Sequence, residues 1–235
     1  MDNPFEEFWE QSSLHSRNIS DYGRRMSAYD ADTKELRVSY PERANSHKKP
    51  KTPLSKITAK RASSRAFSNT FLTARDLLSL MSHLSVLTDD LEHRTYPSAG
   101  ATYSVETFVL RFDDHSVNYY DAEKNGLLPI GQHSYEQTDL ERVLSISHSG
   151  SASALVIFVG LPDRVIGKYS ERGYRFMLLE AGAMMQQLAL AIAQDKNLAG
   201  CAIGGILDTE FLTLLGLGDR NPKLLTGYLV GMKGA

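Results

Sequence analysis

A mixed α+β fold is predicted for this chain, and three observations predict it. Ala154 to Val159 is a short, almost wholly apolar run rich in β-branched residues, the pattern of a strand covered on both faces. Phe176 to Ala193 is apolar nearly all round, the pattern of a helix that needs cover on several sides. Shorter β-favouring runs and amphipathic stripes flank these two segments, with no internal repeat.

Residues 1–54 read as an N-terminal arm and linker. They are polar, carry aromatics near the start, and continue into a basic segment (Arg43, Lys48, Lys49, Lys51, Lys56, Lys60) interrupted by Pro50 and Pro53. Residues 55–235 read as the folded domain. Thr73-Ala74-Arg75-Asp76 opens a helix, because the threonine hydroxyl can accept from a free backbone N–H and the aspartate suits the first turn. Leu77, Leu80, Met81 and Leu84 form its apolar stripe. Val105 to Phe112 reads as a strand with Phe108 and Leu110 on one face. Asp113-Asp114-His115 turns the chain into a second strand from Ser116 to Tyr120, and Asn125-Gly126 turns it again. Thr138-Asp139-Leu140-Glu141 matches a capping box for a short helix through Leu144. After the long apolar helix, a strand from Ala202 to Ile206, a helix opened by Asp208 and a strand from Leu225 to Met232 complete the chain. A helix apolar on all sides in so short a chain predicts a homodimer, with that helix near the interface.

Composition excludes several classes of function. Twenty-six basic and 28 acidic residues give a net charge of −2, so no global field attracts nucleic acid or an anionic membrane. The single cysteine, Cys201, rules out an intramolecular disulfide and a thiolate metal cluster. The first residues have neither a basic start nor an apolar run of the secretory kind, and the uncharged stretch from Ala181 to Gln194 falls short of the ~20 residues that span a bilayer. A cytoplasmic protein without membrane or metal partners is the expectation. Walker, dinucleotide-fingerprint and H-E-x-x-H patterns are absent, and Ser98 lacks a nucleophile-elbow context.

Three segments carry candidate chemistry. In Arg61-Ala62-Ser63-Ser64-Arg65, two guanidinium groups flank small hydroxyl residues, a donor set suited to phosphate oxygens. In Pro97-Ser98-Ala99-Gly100, the proline fixes a bend and the small residues let backbone approach a flat ligand. Gly204-Gly205 follows a strand and offers another close approach.

In order and wording these segments resemble the flavin-dependent nitroreductase superfamily, and more narrowly the dehydrogenases that make thiazole and oxazole rings in modified microcins. The resemblance rests on Arg61 to Arg65, on Pro97 to Ala101 followed by Tyr103 and Glu106, and on Lys168-Tyr169-Ser170-Glu171-Arg172-Gly173-Tyr174-Arg175 leading into Leu179-Glu180-Ala181-Gly182. It implies a three-layer fold around a mainly antiparallel sheet, and a homodimer with FMN at the subunit interface. Arg61, Ala62, Ser63, Arg65, Pro97, Ser98, Ala99, Gly100, Gly204, Gly205 and Lys233 would hold the cofactor. Lys168 and Tyr169 match the family's Lys-Tyr pair. Either Tyr169 is the base in the field of the Lys168 ammonium, or, since neighbours on a helix do not face each other, the two act separately, with Lys168 as base and Tyr169 positioning the ring. The implied activity is oxidation of thiazoline or oxazoline rings in a precursor peptide, alongside a partner cyclodehydratase. Alternatives are a general nitro or quinone reductase, an oxidase of a carrier-bound azoline, and a nonenzymatic scaffold. Ser104 and Ala183 depart from the family's frequent proline and histidine, which leaves fine substrate preference open.

Overall fold

A computed structural model of the chain describes residues 4–28, 51–87, 90, 92–130, 143–144, 151–217 and 221–234. Its strands are β1 (Val105–Arg111), β2 (Val117–Asp121), β3 (Gly126–Pro129), β4 (Ala154–Gly160), β5 (Leu198–Ile203) and β6 (Lys223–Met232). They form one sheet in the order β3-β2-β1-β4-β6-β5, with each described pairing antiparallel. The helices are α1 (Pro4–Ser12), α2 (Ile19–Ala28), α3 (Pro53–Thr58), α4 (Ala74–Met81), α5 (Asp163–Tyr169), α6 (Arg172–Gln194) and α7 (Asp208–Leu214).

The expected two-sided burial of the central strand is found in β4, all seven residues of which are buried. Ala154, Val156 and Phe158 enter a core with Met177, Met184 and Leu188 of α6. Leu155, Ile157 and Val159 enter a second core with Phe108, Leu110 and Phe211 of α7. Each large side chain in these layers stabilises the fold by about 1.5–3 kcal/mol. The fold is therefore three layers, as the resemblance implied. Thr73 caps α4 with Asp76 in a reciprocal box, and Asn125 takes a positive φ of 46° at the β2–β3 turn.

Several boundaries differ from expectation. The strand placed at Ala202 to Ile206 is β5, which starts at Leu198 and ends before Gly204-Gly205, because its register is set by pairing with β6 from Leu198↔Met232 to Ile203↔Gly227. The long helix begins at Arg172, four residues early, because Gly173 and Tyr174 are already buried. Of the helix expected over 138–144, only 143–144 lie within the described residues. Cys201 lies on β5 and is only partly buried. Cover for α6 comes from the sheet on one side, while Leu178 and Leu179 remain 44% and 69% exposed.

The N-terminal arm docks on the domain. Phe5 stacks on Tyr174 at 5.0 Å, and the Glu6 carboxylate accepts from Lys223 Nζ (2.5 Å), the Tyr174 hydroxyl (2.8 Å) and Asn221 Nδ2 (3.3 Å). Burial works to raise the Glu6 pKa, but these donors outweigh it and hold the carboxyl below its usual range. Further on, the Leu14 N–H donates to Asp208 Oδ2 and the Asp208 N–H to the Leu14 carbonyl, both at 2.8 Å.

Removing the Glu6 carboxylate leaves a buried lysine without its anion, so Glu6→Ala is expected to cost about 1–2 kcal/mol in urea unfolding. Burial pushes the Asp208 carboxyl from 3.8 up to about 6, against the pull of the Leu14 N–H. Folding therefore takes up a proton here: the stabilisation is complete below 3.8 and is lost as pH rises through about 6. Asp208→Asn keeps the acceptor for Leu14 and is expected to flatten the pH dependence of unfolding free energy across that window.

Candidate active site

The predicted site residues fall into two groups held by different parts of the sheet. The first lies along the outer edge of β5. The Ser64 N–H donates to the Gly200 carbonyl at 2.9 Å, and Phe67 forms a bridge with Lys233, so the Arg61–Arg65 segment and Lys233 flank the same strand. Arg61, Ala62, Ser63, Arg65 and Lys233 are exposed. Arg61 makes one long side-chain contact, Nη1 to Ser63 Oγ at 3.5 Å. Among the described residues no carboxylate pairs with Arg61, Arg65 or Lys233. Three cations and a serine with donors to spare are the donor set a phosphate needs. Gly204 is exposed, a Cβ added to it would meet open space, and Gly205 next to it is partly buried. Gly204 lines a cavity of about 240 Å³ whose far wall is the arm, with Trp9, Leu14 and Tyr22.

The second group surrounds the bend before β1. Gly100, Ala101 and Tyr103 all have positive φ (57°, 54° and 42°), a run of strained backbone that packing must enforce. Two clamps enforce it. From α6, the Glu180 carboxylate, 2% exposed, accepts from Ser98 Oγ (2.6 Å), Val105 N (3.1 Å), Ser104 Oγ (3.2 Å) and Ser104 N (3.3 Å). From α5, Arg164 donates to the Tyr103 carbonyl at 3.0 Å and pairs with Glu106, which also accepts from the Tyr119 hydroxyl at 2.9 Å. Burial pushes the Glu180 carboxyl up, and its hydrogen bonds pull it back in part. Ser98 accepts from the Tyr103 N–H at 2.9 Å while donating to Glu180, so its hydroxyl proton is turned inward. Pro97, Ser98 and Gly100 line a cleft of about 690 Å³ together with Arg94, Tyr96 and Tyr103. Burial pushes the Tyr96 hydroxyl up to about 12, so it stays a neutral donor and acceptor there.

Lys168 and Tyr169 meet this bend together. Although they adjoin on α5, both side chains reach Gly100 from its last turn, where α5 ends at Tyr169 and Ser170 (φ 47°, ψ −145°) breaks the chain before α6. Gly173 makes the break compact, since a Cβ there would press on the Val165 and Ile166 backbone. Lys168 Nζ donates to the Gly100 carbonyl at 3.3 Å and lies 5.6 Å from the Tyr169 ring centre. The Tyr169 ring is set edge-on against Phe176 at 4.9 Å. A Cβ at Gly100 would collide with both the Tyr169 hydroxyl and Lys168 Nζ. Arg172 lies over Phe176 at 5.8 Å.

Sequence reasoning did not assign a role to Glu180, Arg164 or Arg94. Glu180 carried a signal, a lone acid on the apolar face of a long helix. Arg164 carried none, because its value depends on where the Tyr103 carbonyl points. In one chain the two groups stay apart: β1 and β5 are separated by two strands, about 14 Å at three interstrand steps.

A model of the nitroreductase family matches residues 58–232. A Methanocaldococcus jannaschii protein named as a nitroreductase, MJ1384, is 26% identical over 166 residues, covering 69% of this chain and 83% of its own. The microcin B17-processing protein McbC of Escherichia coli is 29% identical over 138 residues, 54% of this chain and 50% of McbC. A chain of the E. coli microcin synthetase McbBCD complex, solved with truncated pro-MccB17 bound, superposes with a TM-score of 0.71 and 21% identity over 98% of this chain and 94% of that one.

Gly100→Ala is expected to destabilise the protein by about 1–2 kcal/mol from the left-handed backbone alone. Thermal unfolding measures it, and the collision with Lys168 and Tyr169 adds to the loss.

Proposed function

Because this chain belongs to the nitroreductase family, we propose that it is an FMN-dependent dehydrogenase that oxidises thiazoline or oxazoline rings to azoles in a peptide precursor. The observation that carries this reading is the meeting of Lys168 and Tyr169 at the strained Gly100 bend. The likeness to McbC, and a structural match that extends over the arm as well as the domain, support a microcin-type substrate over a general nitro compound. They also support a cyclodehydratase complex as partner.

The residues present fit the cofactor. Arg61, Ser63, Arg65 and Lys233 would hold its phosphate, Gly204, next to Gly205, leaves open space for it, and the bend at Pro97-Ser98-Ala99-Gly100 would press backbone against its ring. Ser98 contributes its main chain there, its hydroxyl being committed to Glu180. Exposed Leu178 and Leu179, and the distance between the two groups in one chain, support a homodimer in which one subunit's cation edge faces the other's bend.

When bound, FMN supplies the two-electron acceptor that takes a hydride from the azoline. Aromatisation removes two electrons and two hydrogens, so a protein base must take the second hydrogen as a proton. Tyr169 presents its hydroxyl, and Lys168 its amine, at the same point beside Gly100. The acceptor must be deprotonated, so the base is Tyr169 as tyrosinate beside the Lys168 ammonium, or Lys168 as free amine with Tyr169 orienting the ring. Phe176 packs edge-on against the tyrosine ring. Tyr96 and Arg94 line the adjoining cleft, where the flanking peptide would lie.

Purified protein is expected to be yellow, with a released chromophore of FMN mass. Lys168→Ala and Tyr169→Phe should each keep FMN and lose azoline turnover by about 100-fold or more. Full turnover in both would remove their role, and turnover of nitro compounds at the expense of NAD(P)H with no azoline oxidation would favour a general reductase. Arg61→Ala should weaken FMN retention by about tenfold or more, read by fluorescence titration.

A further inference from the structure

Three charged side chains are deeply buried among the described residues: Glu106, Glu180 and Lys223. Glu106 is paired with Arg164 and Lys223 with Glu6. Glu180 has no cation within ion-pair distance among the described residues, yet a buried carboxylate is costly to desolvate. A leucine would pack α6 on the sheet at lower cost. What an ionised carboxylate does that a leucine or an amide cannot is accept from many donors at once. Glu180 does this: Oε2 takes Ser98 Oγ and both donors of Ser104, while Oε1 takes the Val105 N–H.

All of these donors belong to the segment between Pro97 and the start of β1. Ser98 relays the grip, because the Tyr103 N–H donates to the same hydroxyl that donates to Glu180. The bend held between those two points contains Gly100, whose carbonyl accepts from Lys168 Nζ. We propose that Glu180 is the positioning residue of this site: from inside α6 it fixes the Pro97–Ala101 bend, and through the Gly100 carbonyl it fixes the Lys168 ammonium next to Tyr169. The proposal rests on the reading that Lys168 and Tyr169 serve azoline oxidation, but the placement of Lys168 is testable without it.

Glu180→Gln keeps the side-chain volume and offers one acceptor oxygen in place of two. Either the Val105 N–H or the Ser98–Ser104 donors then face an amide NH2. Full-length wild type, Glu180→Gln, Lys168→Ala and the double variant are compared by two readouts. The first is acylation of Lys168 by an N-hydroxysuccinimide ester, followed by peptide mass spectrometry with exposed Lys56 as internal reference. Loss of one hydrogen bond to the amine should raise Lys168 labelling by up to about tenfold in Glu180→Gln, with Lys56 unchanged. The second is kcat of the FMN-loaded protein on an azoline peptide, expected to fall about 10–100-fold with KM changing less. That loss should shrink in the Lys168→Ala background, because both changes break one linkage.

Unchanged Lys168 labelling and kcat in Glu180→Gln would overturn the proposal, as would a kcat loss undiminished by Lys168→Ala. If Glu180→Gln does not fold, Ser98→Ala removes one link of the same chain, and a smaller rise in Lys168 labelling supports the proposal while none overturns it. A wild type that lacks azoline turnover sinks the functional reading alone; the labelling ratio still decides the role of Glu180.

Discussion

Burial of β4 on both faces is the constraint from which the rest of the architecture follows. A strand with no wet side requires a neighbour on each edge and a layer on each face. Here β1 and β6 supply the edges, α6 one face and α7 the other. Once β1 and β4 pair from Val105↔Gly160 onward, the segment entering β1 and the segment leaving β4 must emerge side by side. The Leu161 N–H donates to the Ser104 carbonyl at 2.8 Å where they do. The strained bend and the short helix α5 are those two segments, so the core decides which loops can share a site.

The bend itself illustrates how a fold sustains backbone it would otherwise reject. Left-handed geometry at Ala101 and Tyr103 costs on the order of 1–2 kcal/mol per residue. Hydrogen bonds accepted by Glu180 on one side and donated by Arg164 on the other offset it, and both helices are anchored in the larger apolar core: Val165 of α5 and Met177, Met184 and Leu188 of α6 are buried there. Rigidity at the bend is thus drawn from the core through two charged side chains, in addition to the loop's own hydrogen bonds such as Tyr103 N–H to Ser98 Oγ.

Much of this was legible in the sequence, for reasons that differ by element. The run from Ala154 to Val159 announces its own environment, since an uninterrupted apolar strand has nowhere to go but a sheet centre. The Thr73–Asp76 box is equally local. Edge strand β5 was misplaced because Ala202 to Ile206 looks as β-like as Leu198 to Ile203, and only the register with β6 decides between them. The break at Ser170 was illegible for a related reason: serine tolerates helix interiors, and what stops the helix is the close crossing at Gly173. Lys168 and Tyr169 adjoin on α5, yet their long side chains both reach Gly100, a meeting that depends on where the bend lies and not on the spacing along the helix. Composition marks an arm and linker but not where the arm docks, because Phe5, Glu6 and Leu14 find their partners at Tyr174, Lys223 and Asp208, far along the chain.

That last separation bears on how the protein comes into being. Glu6 and Lys223 are 217 positions apart, and Leu14 and Asp208 are 194 apart. The arm precedes its docking surface in the chain, so Phe5, Glu6 and Leu14 gain these contacts only after Tyr174, Asp208 and Lys223 have been added. Seating of the arm closes a loop that contains strands β1 to β5 and ends at Lys223, the first residue of β6, a contact of high sequence separation that is slow to form. A chain cut before β6 would lose an edge neighbour of β4 together with the arm's partner Lys223, so one segment completes both the central strand and the clasp.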